Sequence, residues 1–150
     1  MKVDELKYEI LAQHHILRAL LVNLGDVARK VAEGDASCEM VLRQGAHQLS
    51  TELLRHMADE ERILEELARA GHAPSAEHLV DIHHNHAHQR QMLASFDTRV
   101  DSVQSTRRLG EFIEAMTQAV TLDMEHEEAA LFGSSSVFPV QQPQPIARVA

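Results

Sequence analysis

Apolar residues recur along this chain at intervals of three and four, the spacing of one face of an α-helix, in four long stretches. The first spans about residues 3–32. Its stripe is Leu6, Ile10, His14, Leu17, Leu21, Leu24, Ala28 and Val31, and Gly34 stops it. The second spans about residues 37–70, with Leu42, Ala46, Leu49, Leu53, His56, Glu60, Ile63 and Leu67 on one face and Gly71 at its end. Ser75 is placed to cap the third helix, which carries Leu79, Ile82, His86, Leu93, Phe96 and Val100. Ser105 or Thr106 can cap the fourth, whose stripe is Leu109, Phe112, Ile113, Met116, Val120, Asp123, Glu127 and Leu131, closed by Gly133.

Short connections between long helices favour antiparallel neighbours. The pattern therefore predicts an all-α fold, an antiparallel up-down-up-down four-helix bundle over residues 1–133. The connection after Phe96 is less sharply defined, because residues 98–106 mix polar side chains with Val100 and Val103. Residues 134–150 are rich in Ser, Pro and Gln and have no helical period, so they read as a disordered or loosely docked C-terminal tail.

Composition narrows the function classes. The chain has 150 residues, enough for one domain with a real core. Aromatic residues make up only 3% and Trp is absent, consistent with a Leu/Ala/Met helical core. The net charge of −9 argues against nucleic acid as a partner, since that affinity rests on Lys and Arg neutralising phosphates. It argues equally against a basic membrane-surface helix, and no run of about 20 apolar residues exists to span a bilayer. The single Cys38 cannot form an internal disulfide, and residues 1–9 lack the basic-then-apolar pattern of a signal peptide. A cytoplasmic location is the expectation.

Histidine is unusually abundant, with 11 in the chain, spread over all four predicted helices. Several polar residues sit on the apolar stripes: His14, His56 with Glu60 one turn on, His86, and Asp123 with Glu127 one turn on. A buried carboxylate without a partner costs several kcal/mol or more. Three carboxylates and three imidazoles at one level need mutual compensation, and a metal cation supplies it. Residues i and i+4 share a helix face, so each pair can grip one centre. Mixed imidazole and carboxylate donors suit iron or manganese better than a closed structural zinc site. His83, one turn before His86, is a further candidate ligand. On the fourth helix Asp123 keeps the phase of the core and is preferred, while His126 would need a local helix shift. Cys38 reads as an ordinary small residue near a helix start. Tyr8 lies too far along its helix for a redox role.

The chain also repeats itself. Leu49, Leu53, His56, Glu60, Glu61 and Leu64 match Met116, Val120, Asp123, Glu127, Glu128 and Leu131, and His14, Leu20 and Leu21 match His86, Met92 and Leu93. A pseudo-two-fold bundle would set both halves' polar residues around one centre.

These motifs resemble the hemerythrin-like family, the HHE cation-binding domain: a His on the first helix, then His and Glu one turn apart on the second, the scheme repeated over the next two helices. The resemblance runs over about residues 2–132, with Asp123 standing where the fourth-helix His is expected. It implies two non-haem irons joined by an oxo or hydroxo bridge. Their implied partner is a small diatomic ligand (oxygen or nitric oxide) or peroxide, or the protein handles iron itself. Residues and resemblance together leave three function classes open: a di-iron sensor, binder or stress protein of the resembled type; an enzyme of peroxidase or oxygen-activating type using the same centre; and a metal-free helical module in which His acts as a pH switch. A carboxylate-rich site favours ferric iron, so rapid autoxidation is expected in place of stable oxygen carriage.

Overall fold

A computed structural model of the protein describes residues 3–133. It contains helix α1 (Val3–Ala32), a single 3-10 turn (Ala36–Cys38), α2 (Glu39–Arg69), α3 (Ala76–Ser102) and α4 (Thr106–Phe132). The expectation about the tail concerns residues outside this range.

The helices end where local chemistry says they should. Gly34 and Gly71 adopt positive φ, 104° and 75°, which only glycine takes without strain. Each closes its helix with the paired bonds of a Schellman turn: Gly34 N–H to Val31 O with Asp35 N–H to Lys30 O, and Gly71 N–H to Ala68 O with His72 N–H to Leu67 O. Ser75 and Ser105 accept from the N–H groups of His78 and Arg108, capping α3 and α4. Helix α3 continues to Ser102, further than the mixed composition of residues 98–106 indicated. Its Val100 is buried, and Arg43 of α2 donates to the free carbonyls of Val100 and Val103.

The four helices form the expected antiparallel bundle, with α1 packed against α2 and α4, and α3 against the same two neighbours. Helices α1 and α4 pack backbone against backbone at Gly110, where a Cβ would sit 2.5 Å from Ala28 O and against the backbone of Ala32. The core has two apolar parts. The larger includes Leu17, Met57 and Met124 beside the polar layer and Val31, Leu42, Val100 and Leu109 further along the helices. The smaller contains Leu6, Ile10, Ile63, Leu64, Leu67 and Ile82. Between them lies one polar layer, His14, His56, Glu60, His86 and Glu127, all buried. Apolar packing above and below excludes water from that layer, which strengthens every electrostatic interaction within it. No described helix is long and apolar enough to cross a membrane.

Candidate metal centre

Each member of the polar layer is delivered by a helix stripe. His14 of α1 is 0% exposed, Glu60 0%, His86 1%, Glu127 2% and His56 6%. One donor atom each from His14, His56, Glu60 and Glu127 lies within 4.8 Å of all the others, the arrangement of a cation site. His14 Nε2 is 3.0 Å from His56 Nε2 and 3.3 Å from Glu60 Oε2, and His56 Nε2 is 2.8 Å from the same oxygen. Glu127 Oε2 stands 3.6 Å from His14 Nε2. On the other side of the two carboxylates, His86 Nε2 lies 3.1 Å from Glu127 Oε1 and 3.7 Å from Glu60 Oε1.

Outside this layer, each imidazole has its Nδ1 anchored. His14 Nδ1 meets Glu128 Oε1 at 3.0 Å, His56 Nδ1 meets Gln13 Oε1 at 2.8 Å, and His86 Nδ1 meets Glu61 Oε1 at 3.2 Å. All three oxygens are acceptors, so each Nδ1 carries the donated proton. That assignment leaves all three Nε2 atoms as lone pairs turned inward. The interior is then a set of acceptors facing acceptors, and it calls for a cation.

Two further observations fit a metal. Glu60 Oε1 and His86 Nε2 are buried and make no hydrogen bond among the described residues. Both lie on the same side of the carboxylate pair. In the absence of metal, a proton is the substitute cation. Burial opposes a charge on His14, but hydrogen bonds to Glu128 and Glu60, with the charges of Glu60 and Glu127, outweigh it and raise its pKa to about 9. Glu60 shows the complementary effect: burial disfavours its charge, yet His14 and His56 pull its pKa down to about 2. His86 is also raised, with burial opposing and the Glu127 and Glu60 carboxylates prevailing.

Of the residues expected at the centre, the structure thus brings together His14, His56, Glu60, His86 and Glu127. His83 does not join them. It is exposed on α3, because the inward face of that helix follows Ile82, His86, Gln89 and Leu93. Asp123 is half-buried, and Met124 (2% exposed) takes the core position that the stripe assigned to it. Asp123 Oδ2 accepts a 3.1 Å hydrogen bond from Nε2 of the buried Gln89. His126, the alternative on that helix, is exposed, as are His84 and His88.

The helical stripes do not mark the anchors: Glu61, Glu128, Gln13, Arg18 and Arg90 all lie off them. The internal repeat held a signal: Glu61 and Glu128 are matched in it, and Arg18 and Arg90 each follow the matched His14 and His86 by four residues. Arg18 grips both oxygens of Glu128, at 2.6 and 2.6 Å. Arg90 Nη1 pairs with Glu61 Oε1 at 2.7 Å.

Comparison with curated proteins finds no match, and comparison with solved structures finds none either. The family model described as the hemerythrin HHE cation binding domain matches residues 6–134, which covers every helix that contributes to the polar layer. On that match, and with a buried His/Glu cluster able to hold a cation, the chain belongs to the hemerythrin HHE cation-binding family.

Proposed function

We propose that this chain is a non-haem di-iron protein that binds, senses or reacts with oxygen, nitric oxide or peroxide. One observation carries the reading: Glu60 and Glu127 each turn one oxygen to either side. Their Oε2 atoms face His14, and Glu60 Oε2 also faces His56, while their Oε1 atoms face His86. Carboxylates that divide their oxygens this way suit two cations held side by side. His14 and His56 would hold one cation with the Oε2 atoms. His86 would hold the other with the Oε1 atoms, and Asp123 is the nearest further candidate there on sequence grounds.

Mixed imidazole and carboxylate donors favour iron over a closed thiolate-type zinc site. Bound there, iron would supply electron transfer and open positions for a small ligand. The chain itself shields the centre between two apolar core clusters and fixes the imidazoles by their Nδ1 anchors. His56, the most exposed of the five, also lines a cleft of about 390 Å³ between α1 and α2, walled by Ile16, Leu17 and Leu20. A small neutral molecule can reach the edge of the layer through that cleft. The single Cys fits a reducing compartment such as the cytoplasm, and the acidic net charge argues against nucleic-acid partners.

The test is elemental analysis of untagged protein reconstituted with ferrous iron. About two irons per chain are expected, as in other bundle carboxylate sites, with loss on Glu60→Ala or Glu127→Ala. A single tightly held zinc, or no uptake, overturns the reading. Turnover of peroxide with a reducing co-substrate would move the assignment from ligand binder to enzyme.

A further inference from the structure

We infer that Arg18–Glu128–His14 and Arg90–Glu61–His86 are two copies of one positioning device, each setting the orientation and donor strength of one imidazole at the centre. The inference rests on the two-cation reading above and adds residues that hold no metal themselves.

The two arrays share one construction. In each, an Arg lies one turn after the imidazole on the same helix, and the Glu directly follows a buried carboxylate on a neighbouring helix: Glu128 after Glu127, Glu61 after Glu60. Each array crosses between the halves of the repeat. Helix α1 gives His14 and Arg18 to a Glu on α4, and α3 gives His86 and Arg90 to a Glu on α2. Independent surface ion pairs would not recur with this sequence register, this helix exchange and this endpoint on an imidazole Nδ1.

The chemistry is that of a carboxylate behind a ligating imidazole. By accepting the Nδ1 proton it fixes the tautomer, aims the Nε2 lone pair, and makes the ring a stronger donor. The Arg has a separate task. It holds Glu128 or Glu61 with a charge-assisted bond, so the carboxylate neither rotates in as a ligand nor sits unpaired beside the acidic layer. His56 lacks this device, since the neutral amide of Gln13 backs it. The two copies are also unequal. Glu128 is held by both oxygens and is 15% exposed, whereas Glu61 is held through one oxygen and is 29% exposed. The His14 array is the stiffer.

Cobalt(II) is a suitable probe, because its visible spectrum reports ligand field without redox chemistry. Wild type, Glu128→Gln, Glu61→Gln and Gln13→Glu are titrated with Co(II), and their iron-loaded midpoint potentials are measured. Gln keeps the size and one acceptor oxygen for the imidazole, while it removes the charge and turns the other oxygen into an NH2 donor that cannot accept from Arg. Glu128→Gln is expected to weaken Co(II) binding about 10- to 100-fold, the usual effect of removing such a partner, to alter the Co(II) spectrum and to raise the iron potential. Glu61→Gln does the same to a smaller extent, and Gln13→Glu shifts the potential the opposite way. If Glu128 and Glu61 only tie helices together, both Gln variants lower the melting temperature but leave Co(II) affinity, spectrum and potential at wild-type values, and the inference is overturned. If wild type itself takes up no Co(II), the two-cation reading fails first, and this inference falls with it. Should a variant unfold, Arg18→Lys, which keeps the charge but not the two-oxygen grip, provides the same comparison.

Discussion

Glu60 Oε1 and His86 Nε2 face each other 3.7 Å apart in the middle of the bundle, both buried and neither in a hydrogen bond among the described residues. A buried acceptor without a hydrogen bond costs roughly 1–3 kcal/mol, a cost that a cation bound beside this pair would remove. Metal uptake is therefore expected to stabilise the fold by mass action, raising the melting temperature with metal concentration. A chelator should reverse the shift. A melting temperature indifferent to ferrous iron, cobalt and chelator would contradict a metal site at this layer.

The placement of individual residues predicts which alanine substitutions matter. Exposed His83 and His126 should be silent, with His83→Ala and His126→Ala retaining wild-type metal content. His86→Ala should lose metal from one side of the carboxylate pair, leaving about half the wild-type content. Asp123→Ala decides whether that half-buried carboxylate serves as a ligand: a loss of metal comparable to His86→Ala would assign it there. Metal analysis and visible spectra of the four variants are sufficient.

The metal-free protein should have a stability maximum in mildly acidic to neutral solution. His14 is raised from 6.5 to about 9, so its contribution is fully present below pH 6.5 and disappears as pH rises through about 9. Glu60 is lowered from 4.5 to about 2 and Glu128 likewise, so theirs is present above pH 4.5 and disappears as pH falls through about 2. Urea unfolding midpoints of chelator-treated protein across this range test the sign on each side. Metal competes with the His14 proton, so loading near neutrality must release protons, detectable by calorimetry in buffers of different ionisation enthalpy.

His47 joins α2 to α3 by donating from both ring nitrogens, at 2.8 Å to Asp97 and 2.8 Å to Asp101. The two carboxylates raise its pKa, Asp97 first. An NMR titration should find it above the ordinary 6.5, and Asp97→Asn should bring it back down. Its contribution to stability is lost as pH rises, and the exposed setting keeps the cost of His47→Ala at about 0–1 kcal/mol.

Gly110→Ala should be among the most damaging small substitutions. The added Cβ meets backbone atoms of Ala28 and Ala32, which cannot swing aside as a side chain can. Forcing α1 and α4 apart is expected to cost on the order of 1–3 kcal/mol, seen as a lower urea midpoint. Loosened metal binding should accompany it, because His14 and Glu127 belong to these two helices.

The stripe positions of α1 and α2 are all buried in the structure, including the three that looked anomalous, His14, His56 and Glu60. A buried polar residue is legible when apolar neighbours three, four and seven positions away fix its phase. Asp123 shows the limit. Between the buried Val120 and Glu127 the helical period allows a step of three residues to Asp123 or of four to Met124, and the packing buries the apolar Met124. His83 lies one turn from His86 yet is exposed, off the buried strip of Ile82, His86, Gln89 and Leu93.

The sequence by itself determined the helices, their stops and caps, the two apolar stretches and the polar layer between them, because all of these follow from periodicity and chemistry within a single helix. Tertiary structure alone decided the division of oxygens by Glu60 and Glu127, the Gln89 bond to Asp123, and the arrays Arg18–Glu128–His14 and Arg90–Glu61–His86. Each of these joins residues on different helices. Glu128 meets His14 across 114 positions of sequence, and no local pattern separates such a charge from one turned to water. Only the packing of α4 beside α1, and of α2 beside α3, makes that choice.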